Sequence, residues 1–315
     1  MKDIFKLCIF IITIIIIYIY VNNNINNYKN NIENFMNENL MNENFMNEEN
    51  DIYDKEFVEL YEIIYRDYTD IDYDYNIINN KILSKLTNND IKIAIAGSGV
   101  GKMCKKFKEK YDNVVGIDNS ENMILYSKRT YPNIKFIKSN LLNQNSLNKN
   151  EYGLIVLDER TLFYNKIKSQ EYLIQNCFNW LMPGGFLVVP IYDPEELQVA
   201  SRYYSSNYID DKGNTHGFTY LNDFTHNCYY IKDGKDNNTY NFYDKIVLKD
   251  GSKRIKKTKL YIQPKEKTYD LILKNGFEQI YIEPVHLQVL GGYELAIFRK
   301  KKEIISSVDE IQSKK

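Results

Sequence analysis

The chain has 315 residues, room for one core of roughly 250 residues with appendages. Its 41 basic and 42 acidic residues leave a net charge of −1, so no overall field draws it to nucleic acid or to an acidic lipid surface. The four cysteines, Cys8, Cys104, Cys177 and Cys228, have neither CxxC spacing nor the density of a disulfide scaffold, and read as small apolar residues.

Leu7 to Val21 is an uncharged, mostly apolar run that extends back to Ile4 and Phe5 across Lys6, whose long side chain can snorkel. A helix over residues 4–21 reaches about 27 Å, close to a thin bilayer core. Asn22, Asn23 and Asn24 follow in place of a small-residue cleavage pattern, so residues 1–21 are expected to form an uncleaved, single-pass signal anchor in a membrane. Lys2 and Lys6 ahead of the run predict a cytoplasmic N-terminus and a translocated domain. Residues 22–50 turn to Asn, Glu and Met, repeating as NFMNE, NLMNE and NFMNE between Asn34 and Glu48. They hold too few large apolar side chains to order themselves and read as a tether with a root-mean-square span of about 30 Å.

Residues 51–300 are expected to form one folded domain. Phe57, Leu60, Tyr61, Ile64 and Tyr65, then Ile77, Ile78, Ile82 and Leu83, recur at helical spacing and predict two helices before the first strand. Ile91 to Asp118 then reads as strand, tight turn, helix and strand. An apolar run to Ala96 meets three alternate glycines, Gly97, Gly99 and Gly101, and a second apolar run closes on Asp118. Such a turn opens the backbone to a ligand, its N–H groups and the helix start attract an anion, and the acid can accept hydrogen bonds from two ribose hydroxyls. A dinucleotide fingerprint needs its third glycine at 102, where this chain has Lys102, so the spacing tilts away from NAD.

Ser120 can cap the next helix, which carries Met123, Ile124 and Tyr126 and ends before Pro132. Asn133 to Lys138 makes a third strand, and Tyr152 to Asp158 is a continuous apolar strand of the buried parallel kind. It leads into Glu159, Arg160, Thr161, Leu162, Phe163 and Tyr164, which would sit beyond its carboxyl end and are the first candidates for lining a ligand site. A helix from Gln170 to Leu181 feeds the turn and strand LMPGGFLVVPIY. Residues 193–262 read as an insertion: an acidic helix from Asp193, then strands at His226–Ile231, Tyr240–Leu248 and Lys256–Ile262, forming an antiparallel layer over the cleft. Lys265 to Lys274 is a helix ended by Asn275 and Gly276, followed by strands at Phe277–Glu283 and Tyr293–Lys300 and a charged tail at 301–315.

The glycine loop with Asp118, the Pro183-Gly184-Gly185 turn and the two closing strands together resemble the class I S-adenosylmethionine-dependent methyltransferases, in their small-molecule form with a lid. The resemblance implies an α/β fold: a Rossmann-like seven-stranded sheet with an antiparallel terminal hairpin, and an antiparallel β lid insertion. It implies S-adenosylmethionine as cofactor, with Gly97, Ser98, Gly99, Gly101, Asp118, Asn119, Asn140, Leu141, Asp158 and Tyr61 around it. Tyr61 matches the tyrosine of an LYD pattern, written here Leu60, Tyr61, Glu62. The methyl group would pass to an oxygen, nitrogen or sulfur of a small-molecule acceptor. Glu159, Tyr164 and His226 are the candidates for a general base, although an activated sulfonium does not strictly require one.

Ile95, Gly153 and Asn140 stand where the family often has acids. That departure keeps as an alternative a catalytically silent, membrane-tethered binding module, and an NAD-dependent oxidoreductase as a third reading. His216, His226 and Cys228 could meet, but a fourth ligand is not apparent, so no metal is expected. A nucleic-acid partner is not indicated.

Overall fold

The computed structural model describes residues 53–64, 69–85, 90–195, 197, 207–209, 215–220, 224–234, 236–285 and 292–301. The expected anchor and tether, and the tail past Lys301, lie outside the described residues. Among the described residues, no helix is long and apolar enough to cross a membrane.

Helix α1 (Lys55–Ile64) begins where the Asp54 carboxylate accepts the Phe57 N–H at 2.7 Å, satisfying one of the helix's orphan donors. It buries Phe57 and Val58, and α2 (Thr69–Lys81) buries Ile77 and Ile78. Strand and helix then alternate as β1 (Ile93–Ala96), α3 (Lys102–Lys108), β2 (Val114–Asp118), α4 (Glu121–Thr130), β3 (Lys135–Lys138), β4 (Tyr152–Leu157), α5 (Ile167–Trp180) and β5 (Leu181–Tyr192). β1 and β4 are buried along their whole length, as strands covered by helices on both faces must be. Ser120 caps α4, its Oγ accepting the Met123 N–H at 3.3 Å.

The insertion contributes β6 (Asn207–Ile209), β7 (Thr215–Tyr220), β8 (Phe224–Lys232), β9 (Thr239–Leu248) and β10 (Lys253–Tyr261), and α6 (Lys265–Lys274), β11 (Phe277–Val285) and β12 (Tyr293–Lys300) close the chain. The main sheet has seven strands in the order β11-β12-β5-β4-β1-β2-β3. All its pairings are parallel except those of β12 with β5 and β11. The order reverses between β1 and β4, the switch point at which open α/β sheets place their ligands.

The second sheet is an antiparallel meander, β10-β9-β8-β7-β6. It has five strands where the sequence pattern suggested three, because β6 and β7 are short and sit among Asn, Asp and Gly that read as loop. At the insertion's start, Asp193 to Glu195 and Leu197 take no helical form, and the other residues of the expected acidic helix lie outside the described ones. Three clasps hold the meander to the main domain. Arg254 binds Asp54 at 2.9 and 3.0 Å, the Tyr261 N–H bonds to the Phe163 carbonyl at 2.8 Å, and Gln170 Nε2 donates to the Tyr261 carbonyl at 2.7 Å. Phe57 of α1 adds an apolar contact to Phe224 and Ile246.

Candidate active site

At the carboxyl ends of β1, β2 and β4 lies a cavity of about 620 Å³, roofed by α1 and β10. That volume suits a small-molecule ligand. The β1 end of it is shaped by the glycine loop, and each glycine there has a different reason. A Cβ on Gly97 would stand 1.8 Å from Thr161 Oγ1, so close approach to the β4–α5 loop demands its absence. Gly101, with φ +87°, opens α3, and a Cβ there would stand 2.9 Å from the Phe136 ring. Gly99, with φ +49°, faces open space that a Cβ would begin to fill. It therefore leaves room at the cavity surface, and Gly101 packs helix on sheet.

Asp118 ends β2 with its carboxylate already oriented: Oδ2 accepts the Gly99 N–H and Oδ1 the Ser120 N–H, both at 2.9 Å. A carboxylate offers about four lone-pair sites to hydrogen-bond donors. Asn119, Asn140 and Leu141 line the same wall, and the Asn140 Oδ1 accepts the Leu142 N–H at 2.9 Å, shaping its own loop. Ser98 is buried and its hydroxyl has no partner. It faces a small hollow of about 50 Å³ that also touches Tyr61, Gly97, Gly99 and Asp158, so a polar ligand tail has a waiting hydroxyl there.

At the end of β4, Asp158 and Glu159 turn into the cavity. Burial pushes the Asp158 carboxyl well above its ordinary range, and the charges of Glu159 and Asp74 push the same way. Glu159 holds a left-handed backbone, φ +45°, which a non-glycine residue adopts at a cost of about 1–2 kcal/mol. Such strain survives where the surroundings over-determine it. Its Oε2 lies 3.5 Å from the Tyr61 hydroxyl.

Tyr164 also lines the cavity, and 38% of it remains accessible. His226 stands apart from the cavity wall: it is buried in β8 with Nε2 2.9 Å from Asp244 Oδ1. Gly101, too, stands outside the cavity lining. His226 and Cys228 point the same way from β8, and the His216 side chain lies outside the described ones. Among the described residues, no group of three or more His, Cys, Asp or Glu side chains is arranged for a metal ion.

Of the residues expected past β4, Glu159, Thr161 and Tyr164 line the cavity, whereas sequence reasoning missed Tyr53, Thr258 and Lys259, which line it too. Tyr53 is one of 28 tyrosines and carries no local mark. Thr258 and Lys259 had one available signal: β10, KRIKKTKLY, is polar on both alternating faces, which an ordinary half-buried strand is not.

Residues 93–185 match the methyltransferase domain family. Its fold is that of the class I methyltransferases. The chain is 30% identical to the phosphoethanolamine N-methyltransferase of Plasmodium falciparum (isolate 3D7), over 48% of this chain and 57% of that protein, so the match spans a little over half the relative's length. The methyltransferase fold is also that of an amino pentose methyltransferase from Micromonospora echinaspora solved with S-adenosylmethionine bound (TM-score 0.58, 14% identity, 77% of this chain and 97% of that one). It is shared as well by a methyltransferase from Clostridium acetobutylicum (TM-score 0.59, 13% identity, 78% and 98%).

Proposed function

We propose that the protein transfers the methyl group of S-adenosylmethionine to a small-molecule acceptor bound between the glycine loop and the five-stranded sheet. The observation that carries this reading is a single cavity lined both by Gly97, Gly99 and Asp118 and by Tyr53, Tyr164 and Thr258. The first set suits a nucleoside with a charged tail, and the second belongs to the surface beyond it.

In this reading Asp118 accepts the ribose hydroxyls, Leu141 flanks the adenine and Ser98 meets the polar tail. Glu159 places a carboxylate beside the reacting centre, and Asp158, whose burial favours the neutral carboxyl, lies next to it. Bound S-adenosylmethionine supplies a methyl group activated by its sulfonium, so the chain's own work is alignment and exclusion of water. The clasped sheet above the cavity does the excluding. Glu159, held by its strained backbone beside the Tyr61 hydroxyl, takes up the acceptor's proton. Phosphoethanolamine, named for the P. falciparum relative, is the first acceptor to try.

The test is calorimetric titration of the full chain with S-adenosylmethionine and S-adenosylhomocysteine, with Asp118→Ala and Glu159→Gln alongside. Binding should weaken at least tenfold in Asp118→Ala and persist in Glu159→Gln while methyl transfer falls. No heat with either ligand from folded protein would instead favour the silent binding module.

We also propose that residues 1–21 hold the protein at a membrane, with residues 22–50 as the tether. The support is the uncharged run Leu7–Val21. After alkaline carbonate extraction the protein should stay with the membrane pellet, and its release into the supernatant would refute the anchor.

A further inference from the structure

We propose that the end of the cavity beneath the five-stranded sheet binds a compact anionic group on the acceptor, a phosphate or a carboxylate. The hydroxyls of Tyr164 and Thr258 would meet it, backed by the buried cations Arg160 and Lys256. This rests on the methyl-transfer reading above and names a property of the acceptor that it leaves open.

Arg160 is only 3% exposed, yet among the described residues it has no carboxylate partner. Nη1 donates to the Tyr230 hydroxyl at 2.8 Å, the guanidinium lies 4.7 Å from the Phe242 ring centroid, and Nε has no partner at all. A buried guanidinium with one neutral acceptor is costly, and buried charges are ordinarily paired. If Arg160 served only to latch the β4–α5 loop to the sheet, a neutral side chain would do so at lower cost.

Strand register brings a second cation to the same place. Successive inward positions of β10 are Lys256 and Thr258, opposite Asp244 and Phe242 of β9, which in turn face Cys228 and Tyr230 of β8. Lys256 is 5% exposed, and its nearest carboxylate oxygen, on Asp244, is 3.9 Å away. That carboxylate is already engaged more closely by His226, at 2.9 Å. The Lys256 ammonium instead lies 3.8 Å over the Tyr53 ring.

These cations stand directly behind the cavity wall. Glu159 and Thr161, on either side of Arg160 in sequence, line the cavity, and so do Tyr53, Tyr164 and Thr258. Thr258 is 7% exposed and its Oγ1 has no partner. A buried, unpaired hydroxyl on a residue of the cavity wall, with two under-compensated cations behind it, is an arrangement that suits a small anion. Asp118, Asp158 and Glu159 line the cavity as well, and Asp244 stands 3.9 Å from Lys256, so the anion is placed at the Tyr164 and Thr258 hydroxyls, in front of the two cations.

The experiment titrates inorganic phosphate, and separately acetate, into the full chain at low ionic strength, with and without saturating S-adenosylhomocysteine. At least one anion should bind the wild type saturably. Its affinity should fall at least tenfold in Arg160→Gln and several-fold in Thr258→Val, which changes no charge, while the affinity for S-adenosylhomocysteine stays the same. Tighter phosphate than acetate would assign a phosphomonoester acceptor, and the reverse a carboxylate. Absence of saturable heat from both anions with the wild type, or equal affinity in wild type and both variants, overturns the proposal. If Arg160→Gln does not fold, Thr258→Val alone decides. Because phosphate is also titrated without S-adenosylhomocysteine, the anion site is read even where the cofactor gives no heat, a result that would strike the methyl-transfer reading instead.

Discussion

An alanine at Gly99 would put its Cβ into open space, whereas one at Gly101 would press within 2.9 Å of Phe136. Both positions have positive φ, +49° and +87°, so each substitution carries a backbone cost of about 1 kcal/mol. They should separate in function. Gly99→Ala should weaken S-adenosylhomocysteine binding at least tenfold, because the added methyl enters the ligand's space. Gly101→Ala should leave that affinity unchanged and lower stability by a further 1–3 kcal/mol, roughly, through crowding of the Phe136 ring. Calorimetric titration and thermal denaturation of the two variants read the difference. The spacing of the glycines was legible in the sequence; which one borders open space was not, since that depends on the Phe136 and Thr161 side chains brought in from β3 and the β4–α5 loop. Glu159 teaches the same lesson. Its type marked it as a candidate, but its left-handed backbone and its approach to Tyr61, 98 positions away, exist only in the folded chain.

At the scale of elements, the main sheet was read almost strand for strand. Its central parallel strands, β1, β2 and β4, are buried on both faces, so each is a continuous apolar word such as YGLIVL, bounded by turn residues. The closing hairpin was equally visible, because β11 and β12 are long and the helix before them ends on Asn275 and Gly276. The insertion was harder. An antiparallel sheet with one inward face normally alternates apolar and polar, but here the inward face itself carries His226, Asp244, Lys256 and Thr258. The two strands that were missed, β6 and β7, are short and sit among Asn, Asp and Gly that read as loop. The polar inward face is what makes the sheet more than a cover. Its clasps come from distant positions, Asp54 with Arg254 and Phe163 with Tyr261, which no local pattern announces.

For the molecule as a whole, Lys256 makes stability depend on pH in a predictable direction. Burial lowers its ammonium to about 8, with Asp244 opposing the shift, whereas in the unfolded chain lysine titrates near about 10.4. Below pH 8 both states are protonated and the cost of burying the charge is fully present. Between these values the unfolded chain binds more protons, so this group's contribution to stability rises with pH, by on the order of 3 kcal/mol across the window. Thermal denaturation of wild type against Lys256→Met from pH 7 to 10 should show the difference in stability narrowing as pH rises. A constant difference would mean that Lys256 is not a strained buried cation. What the sequence determined by itself was whatever is written locally: apolar runs, glycine and proline punctuation, the acid closing β2, and from these an α/β methyltransferase-like sheet with a glycine loop at its switch point. Only the tertiary structure decided what stands opposite the residues that follow β4. Tyr53, Lys256 and Thr258 come from two other stretches of chain, and the Arg160 and Lys256 charges act on their surroundings only after folding removes the water between them.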